Sequence, residues 1–75
     1  MKACILVKTN PGKHNAVARA VSKIVGVKLA FPVLGKTDMV ASVEAADIKV
    51  LQKIAFEIGA LRGVVATETL IALEV

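Results

Sequence analysis

Lys2-Ala3-Cys4-Ile5-Leu6-Val7-Lys8 is the stretch on which the reading of the fold turns. Successive side chains of a strand point to opposite faces, so Ala3, Ile5 and Val7 share one face and Cys4 and Leu6 the other. Both faces are apolar, and such a strand needs cover on both sides of its sheet.

Outward from it the chain alternates turn signals with periodic apolar runs. Asn10-Pro11-Gly12 is a turn. A helix is expected from Lys13 or His14, with Val17, Val21 and Ile24 on one stripe, Ala20 beside them, and Gly26 past its end. Val27 to Leu34 reads as a second strand. Pro32 lies inside it and cannot donate to a ladder, which places that strand at a sheet edge or a bulge. Gly35-Lys36-Thr37 turns the chain into a third strand, Asp38 to Ala45. Asp47 is a fitting N-cap for a second helix carrying Ile48, Leu51, Ile54, Ala55 and Ile58 on its apolar stripe, with Gly59 and Gly63 around its end. Val64 to Val75 is the last strand, with Thr67 and Thr69 on one face. The order is β-α-β-β-α-β. Right-handed crossovers then give a four-stranded antiparallel sheet in spatial order 4-1-3-2, with two helices on one face. Pro32 falls on an edge in that order, and the other sheet face is left without a helix.

Seventy-five residues make one small domain, 1–75, and not two. Yet 56% of them are hydrophobic and mean hydropathy is +0.71. No apolar run approaches the roughly 18 residues of a membrane span. The surplus points to burial between subunits, because an obligate interface resembles a domain core cut in half. The short β-rich apolar run after Met1 does not read as a secretory signal, and none is expected. The one cysteine, Cys4, has no internal partner and reads as a packed strand thiol, so the cytoplasm is the expected compartment. A net charge of +4 permits weak attraction to anions. The basic residues are dispersed and the only aromatics are Phe31 and Phe56, so neither a stacking surface nor a groove-reading element is in view.

Catalysis finds little support. His14, the only histidine, follows a turn with no carboxylate within a helical turn, and reads as a solvent-facing side chain. No metal-ligand spacing occurs and the glycines stand singly in turns, so no metal and no cofactor is expected. Leu34-Gly35-Lys36-Thr37-Asp38-Met39-Val40 is more informative. Asp38 either satisfies turn amides, as aspartate does routinely, or faces a ligand. A carboxylate can hold an ammonium group and free amides suit a carboxylate, a combination that fits an amino acid. Thr67 and Thr69 reflect strand propensity or offer two hydroxyls on one face. In the 4-1-3-2 order they lie roughly 10 Å from the third strand, so a pocket using both stretches forms more easily between subunits.

Taken together, Val7-Lys8-Thr9-Asn10-Pro11-Gly12, Gly26-Val27, Leu34-Gly35-Lys36-Thr37-Asp38, Leu61-Arg62-Gly63-Val64-Val65 and Thr67-Glu68-Thr69-Leu70 resemble the C-terminal domain of the Lrp/AsnC transcription regulators. The resemblance covers essentially the whole chain. It implies a ferredoxin-like α+β domain of the dimeric α/β-barrel type, whose dimers assemble into higher rings such as octamers. It also implies an amino-acid effector bound between dimers. Gly35 and Asp38 then fall on the turn that faces the effector, Val40 on a position lining that site, and Thr67 and Thr69 on final-strand positions that contact it. Full-length members carry an N-terminal helix-turn-helix. This chain opens at the first strand, so direct sequence-specific DNA binding is not expected of it. Thr37 stands where the family often has an aromatic, which bears on ligand preference.

The expectation is therefore a small-molecule-sensing oligomerisation module acting on transcription through partners, including co-assembly with full-length relatives. Two other readings stand beside it: a small dimeric α/β-barrel enzyme, which would usually need a His, Tyr or Trp in its pocket, and a purely structural oligomer.

Overall fold

The computed structural model describes residues 1–73. Its elements run β1 (Lys2–Thr9), α1 (His14–Ser22), β2 (Val27–Pro32), β3 (Met39–Glu44), α2 (Ile48–Gly59) and β4 (Val64–Ile71). The strands form one antiparallel sheet in the order β2-β3-β1-β4, which is the expected 4-1-3-2 seen from the opposite edge. β2 is an edge strand, as Pro32 requires. This is the ferredoxin-like α+β arrangement.

The register sorts the side chains into two faces, because residues directly paired across an antiparallel ladder point the same way. Val7 pairs with Met39 and Thr67, Ile5 with Ala41 and Thr69, and Ala3 with Val43 and Ile71. Along these rungs Ala3, Ile5, Val7, Met39, Ala41 and Val43 are buried against Val17, Ala18 and Val21 of α1 and Leu51, Ile54 and Ile58 of α2. Burying an aliphatic side chain of this size contributes about 1.5–3 kcal/mol, so this face holds the core. Phe31–Val40–Leu6–Glu68 and Leu29–Ser42–Cys4–Leu70 form the rungs of the opposite face. No helix covers it. Leu29, Phe31 and Leu70 are 58%, 41% and 47% exposed, and Cys4, Leu6 and Val40 are only half-buried.

Local chemistry accounts for most boundaries. Asp47 caps α2 by accepting the Val50 N–H at 3.0 Å. α1 is shorter than the periodicity suggests. It ends at Ser22, where the Lys23 and Ile24 amides turn back to the Ala20 and Val21 carbonyls. Ile24 packs on the core from that tightened turn, and Ala18 joins the helix stripe. Gly26 has φ +100, and a Cβ there would lie 2.6 Å from Ile54 Cδ1 and 3.1 Å from the Glu44 carbonyl oxygen. Only glycine permits that backbone and that approach.

β2 stops at Pro32 and β3 starts at Met39, one to two residues inside the expected limits. Ile48 is 47% exposed, so the buried stripe of α2 starts at Leu51. β4 ends at Ile71, and the Ala72 N–H donates to the Lys2 carbonyl at 2.9 Å. Ala72 and Leu73, expected within the last strand, lie past its end, and the remaining two expected residues, Glu74 and Val75, lie outside the described residues. Among the described residues no helix is long and apolar enough to cross a membrane.

Candidate functional site

The β2–β3 connection spans residues 33–38 and closes with a backbone bond from the Val33 N–H to the Asp38 carbonyl at 3.0 Å. Asp38 then addresses β1 twice. Its own N–H donates to the Val7 carbonyl at 3.0 Å, and its Oδ2 accepts the Thr9 N–H at 2.7 Å. The carboxylate thus stands in for a ladder carbonyl at the end of β1. Of the two sequence readings of Asp38, the amide-satisfying one is realised on a neighbouring strand rather than within its own turn. The side chain remains half-buried and still borders open space.

Two hollows meet at this carboxylate. One, of about 380 Å³, is lined by Pro32, Val33, Leu34 and Gly35 together with His14 and Asp38. The other, of about 540 Å³, is lined by Lys8, Thr9, Asn10, Pro11, Gly12 and Val65, again with His14 and Asp38. Gly35 lies in open space, with nothing within 4 Å of where a Cβ would stand. Its backbone is therefore free to be approached from outside the chain. Lys8 reaches over the turn, its Nζ donating to the Lys36 carbonyl at 3.3 Å.

The structure brings Gly35 and Asp38 together in one hollow and leaves the other sequence-derived positions outside it. Val40 sits on the uncovered sheet face, between Leu6 and Phe31. Thr67 and Thr69 sit on the helix-bearing face, opposite Val7 and Ile5. With β1 between β3 and β4, these threonines stand about 10 Å from β3, two strand spacings away. Thr67 borders a separate hollow of about 170 Å³ with Leu6, Lys8, Lys36, Thr37, Ala66 and Glu68. One copy of the chain does not converge all five residues on a single ligand.

The sequence offers His14 no nearby carboxylate, and the fold supplies Asp38 in the same two hollows. The signal was available in the strand order. β1 and β3 run antiparallel side by side, so the end of β1, with the turn and helix start that follow it, shares a sheet end with the turn before β3. Among the described residues no group of three or more His, Cys, Asp and Glu side chains is placed to hold a metal ion.

Comparison with known proteins agrees with this fold. The family model of the Lrp/AsnC ligand binding domain matches residues 2–75. TTHA0845 from Thermus thermophilus superposes with a TM-score of 0.93 at 29% identity, over 99% of this chain and 94% of that one. The hypothetical protein PHS023 from Pyrococcus horikoshii does so with a TM-score of 0.87 at 31% identity, over 97% of this chain and 89% of that one. AsnC of E. coli shares the fold at 20% identity and a TM-score of 0.89, and this chain spans 50% of its length. No curated protein matches the chain.

Proposed function

The chain belongs to the Lrp/AsnC ligand-binding domain family, and on that footing we propose that it senses an amino acid and assembles through its sheet, acting in transcription regulation without catalysis. The observation that carries the sensing role is the half-buried Asp38 carboxylate, held by the Thr9 amide at the meeting of two hollows. One carboxylate oxygen serves Thr9 and the side chain still borders open space, where an ammonium group would find a charge-assisted partner.

Assembly rests on the uncovered sheet face. Leu29, Phe31, Leu6 and Leu70 are too apolar to be left to water in a chain this small. A second copy of the same face is the occupant the family favours, with sheets packed about 10 Å apart. Dimers joined further through the β2–β3 turns would bring Thr67 and Thr69 of one subunit toward Asp38 of another, completing a site that one copy leaves open. Gly35, Asp38, Val40, Thr67 and Thr69 are proposed as its residues, in a cytoplasmic protein that co-assembles with full-length regulators.

A thermal-shift screen of the twenty amino acids, with solution mass measured in parallel, tests the proposal. A ligand that binds only the folded assembly raises its apparent stability by mass action. Stabilisation by at least one amino acid is expected. No response at millimolar concentration from an intact assembly would leave a structural oligomer in its place.

A further inference from the structure

We propose that the outer ridge of α2 is a second self-docking surface, which pairs antiparallel with the same ridge of another copy across a twofold axis. The proposal rests on the sheet-to-sheet pairing above and adds a contact on the opposite side of the molecule.

Lys49, Lys53, Phe56 and Ala60 follow one another at i, i+4, i+7 and i+11, which sets them in a single stripe along the helix. With Gln52 and Glu57 they border one shallow depression. The stripe lies opposite the buried one of Leu51, Ile54 and Ile58. Phe56 stands in it 74% exposed. It is one of only two aromatic residues, and the other, Phe31, belongs to the uncovered sheet face.

The order of charge says what covers this ridge. Lys49 and Lys53 occupy the first two turns of α2 and Glu57 the last, with no acidic residue in the first turn and no basic one in the last. That order opposes the dipole of the helix, which is positive at the N-terminus and negative at the C-terminus. A lysine four residues before a glutamate is also the weaker arrangement within one helix. An antiparallel copy turns the same order to advantage. About an axis near Ala55, Lys53 meets Glu57 of the second copy and Glu57 meets its Lys53. Both lie on one flank of the stripe, and the two Phe56 rings are covered between the pairs. A parallel copy would set lysine against lysine, and a purely acidic partner would leave Glu57 facing like charge.

One helix ridge is a small contact, below the roughly 1,000 Å² of a stable interface. It acts where copies are already paired through their sheets. α2 lies on the face that sheet pairing leaves free, so each pair carries two such ridges. A second twofold contact links pairs into a closed ring or an open chain, and the high local concentration of linked copies offsets the weakness of each contact.

Sedimentation velocity at micromolar concentration tests this. The wild-type mass is expected to exceed that of one pair and to fall as salt is added. Lys53→Glu or Glu57→Lys sets like charges face to face and should weaken the association of pairs by roughly tenfold or more. Phe56→Ser should lower the mass as well. The double variant Lys53→Glu/Glu57→Lys restores opposite charges and should recover the wild-type mass. All three positions are exposed, so circular dichroism should show an unchanged fold in every variant. If the wild type is a single pair at every concentration, or the single variants keep its mass, the α2 contact is wrong and the sheet pairing stands. If the double variant stays as small as the single ones, the antiparallel charge pairing is wrong. A folded wild-type monomer overturns both readings.

Discussion

The Asp38 carboxylate accepts the Thr9 backbone N–H at 2.7 Å, tying the β2–β3 turn to the end of β1 across 29 positions of sequence. Thr9 is itself 7% exposed. Its amide has no easy route to water, so the bond serves folding as well as any ligand.

Asp38→Ala is therefore expected to destabilise the protein by about 1–3 kcal/mol, the cost of leaving a poorly hydrated donor unmade. That corresponds to a fall in melting temperature of roughly 5–20 °C for a domain of this size. Asp38→Asn keeps a carbonyl acceptor for Thr9 and should lose less than half as much. Both variants remove the charge that would hold a ligand ammonium, so affinity for an amino acid should fall by about tenfold to a hundredfold in each. Thermal melting at fixed protein concentration, followed by calorimetric titration, separates the two effects. Equal melting of wild type and Asp38→Ala would show that the Thr9 bond is not a support of the fold. Thr69→Val, which deletes a neutral hydroxyl and keeps the shape, should weaken binding by less than about tenfold.

The proposed pairing through the uncovered sheet face predicts an obligate oligomer built on a dimer. Light scattering at micromolar concentration should show no folded 7.8 kDa species. Phe31→Glu or Leu70→Glu places a charge among Leu6, Leu29 and Val40 and should shift the population to monomer or unfold it. A monodisperse folded monomer of the wild type would refute the sheet-to-sheet assembly.

Gly26→Ala should cost about 2 kcal/mol or more, combining a positive φ with a Cβ driven into Ile54 and the Glu44 carbonyl. Gly35→Ala meets no atom within 4 Å and should leave the melting temperature nearly unchanged. It places a methyl group at the mouth of the 380 Å³ hollow, so ligand affinity is the quantity to follow there. Similar destabilisation by both substitutions would mean that the turn at Gly35 is as constrained as the one at Gly26.

These 75 residues alone should show no sequence-specific DNA binding. Their ten Lys and Arg are dispersed and the net charge is +4, so any association should be weak and lost steeply with salt. A gel-shift or anisotropy titration at about 0.15 M salt, comparing a palindromic target with random duplex, is the check. Tight and discriminating binding there would overturn it.

The elements of the fold were legible because each is written in a local period. Alternation along residues 2–8 marked a strand with two apolar faces, and the Val17/Val21 and Leu51/Ile54/Ile58 spacings marked helix stripes. Pro32 fixed an edge strand, and Asp47 announced a helix start that the Val50 hydrogen bond realises. Where these readings slipped, a local pattern met a competing tertiary demand. Ile24 is in phase with α1 but reaches the core through a tighter turn, and Ile48 is in phase with α2 but sits at its exposed first turn.

The candidate site was legible only in part. Asp38 and Gly35 stand out in the sequence because a carboxylate and a glycine interrupt an apolar run, and the resemblance placed them in a binding turn. That Val40 faces one side of the sheet and Thr67 and Thr69 the other came from the register. His14 has no carboxylate among its sequence neighbours, so no local pattern marks its meeting with Asp38.

Sequence alone thus determined the order of strands and helices, the edge position of Pro32 and the existence of a sheet face in need of cover. Each follows from short-range periodicity, backbone chemistry and the arithmetic of apolar residues. Only the tertiary structure decided that Thr9 would take the Asp38 carboxylate and that His14 would share its two hollows. Those meetings join residues far apart in the chain, and depend on how the β1 end and the β2–β3 turn settle against each other once the core is packed. No local period encodes that distance, because it is the sum of every strand register and helix packing between them.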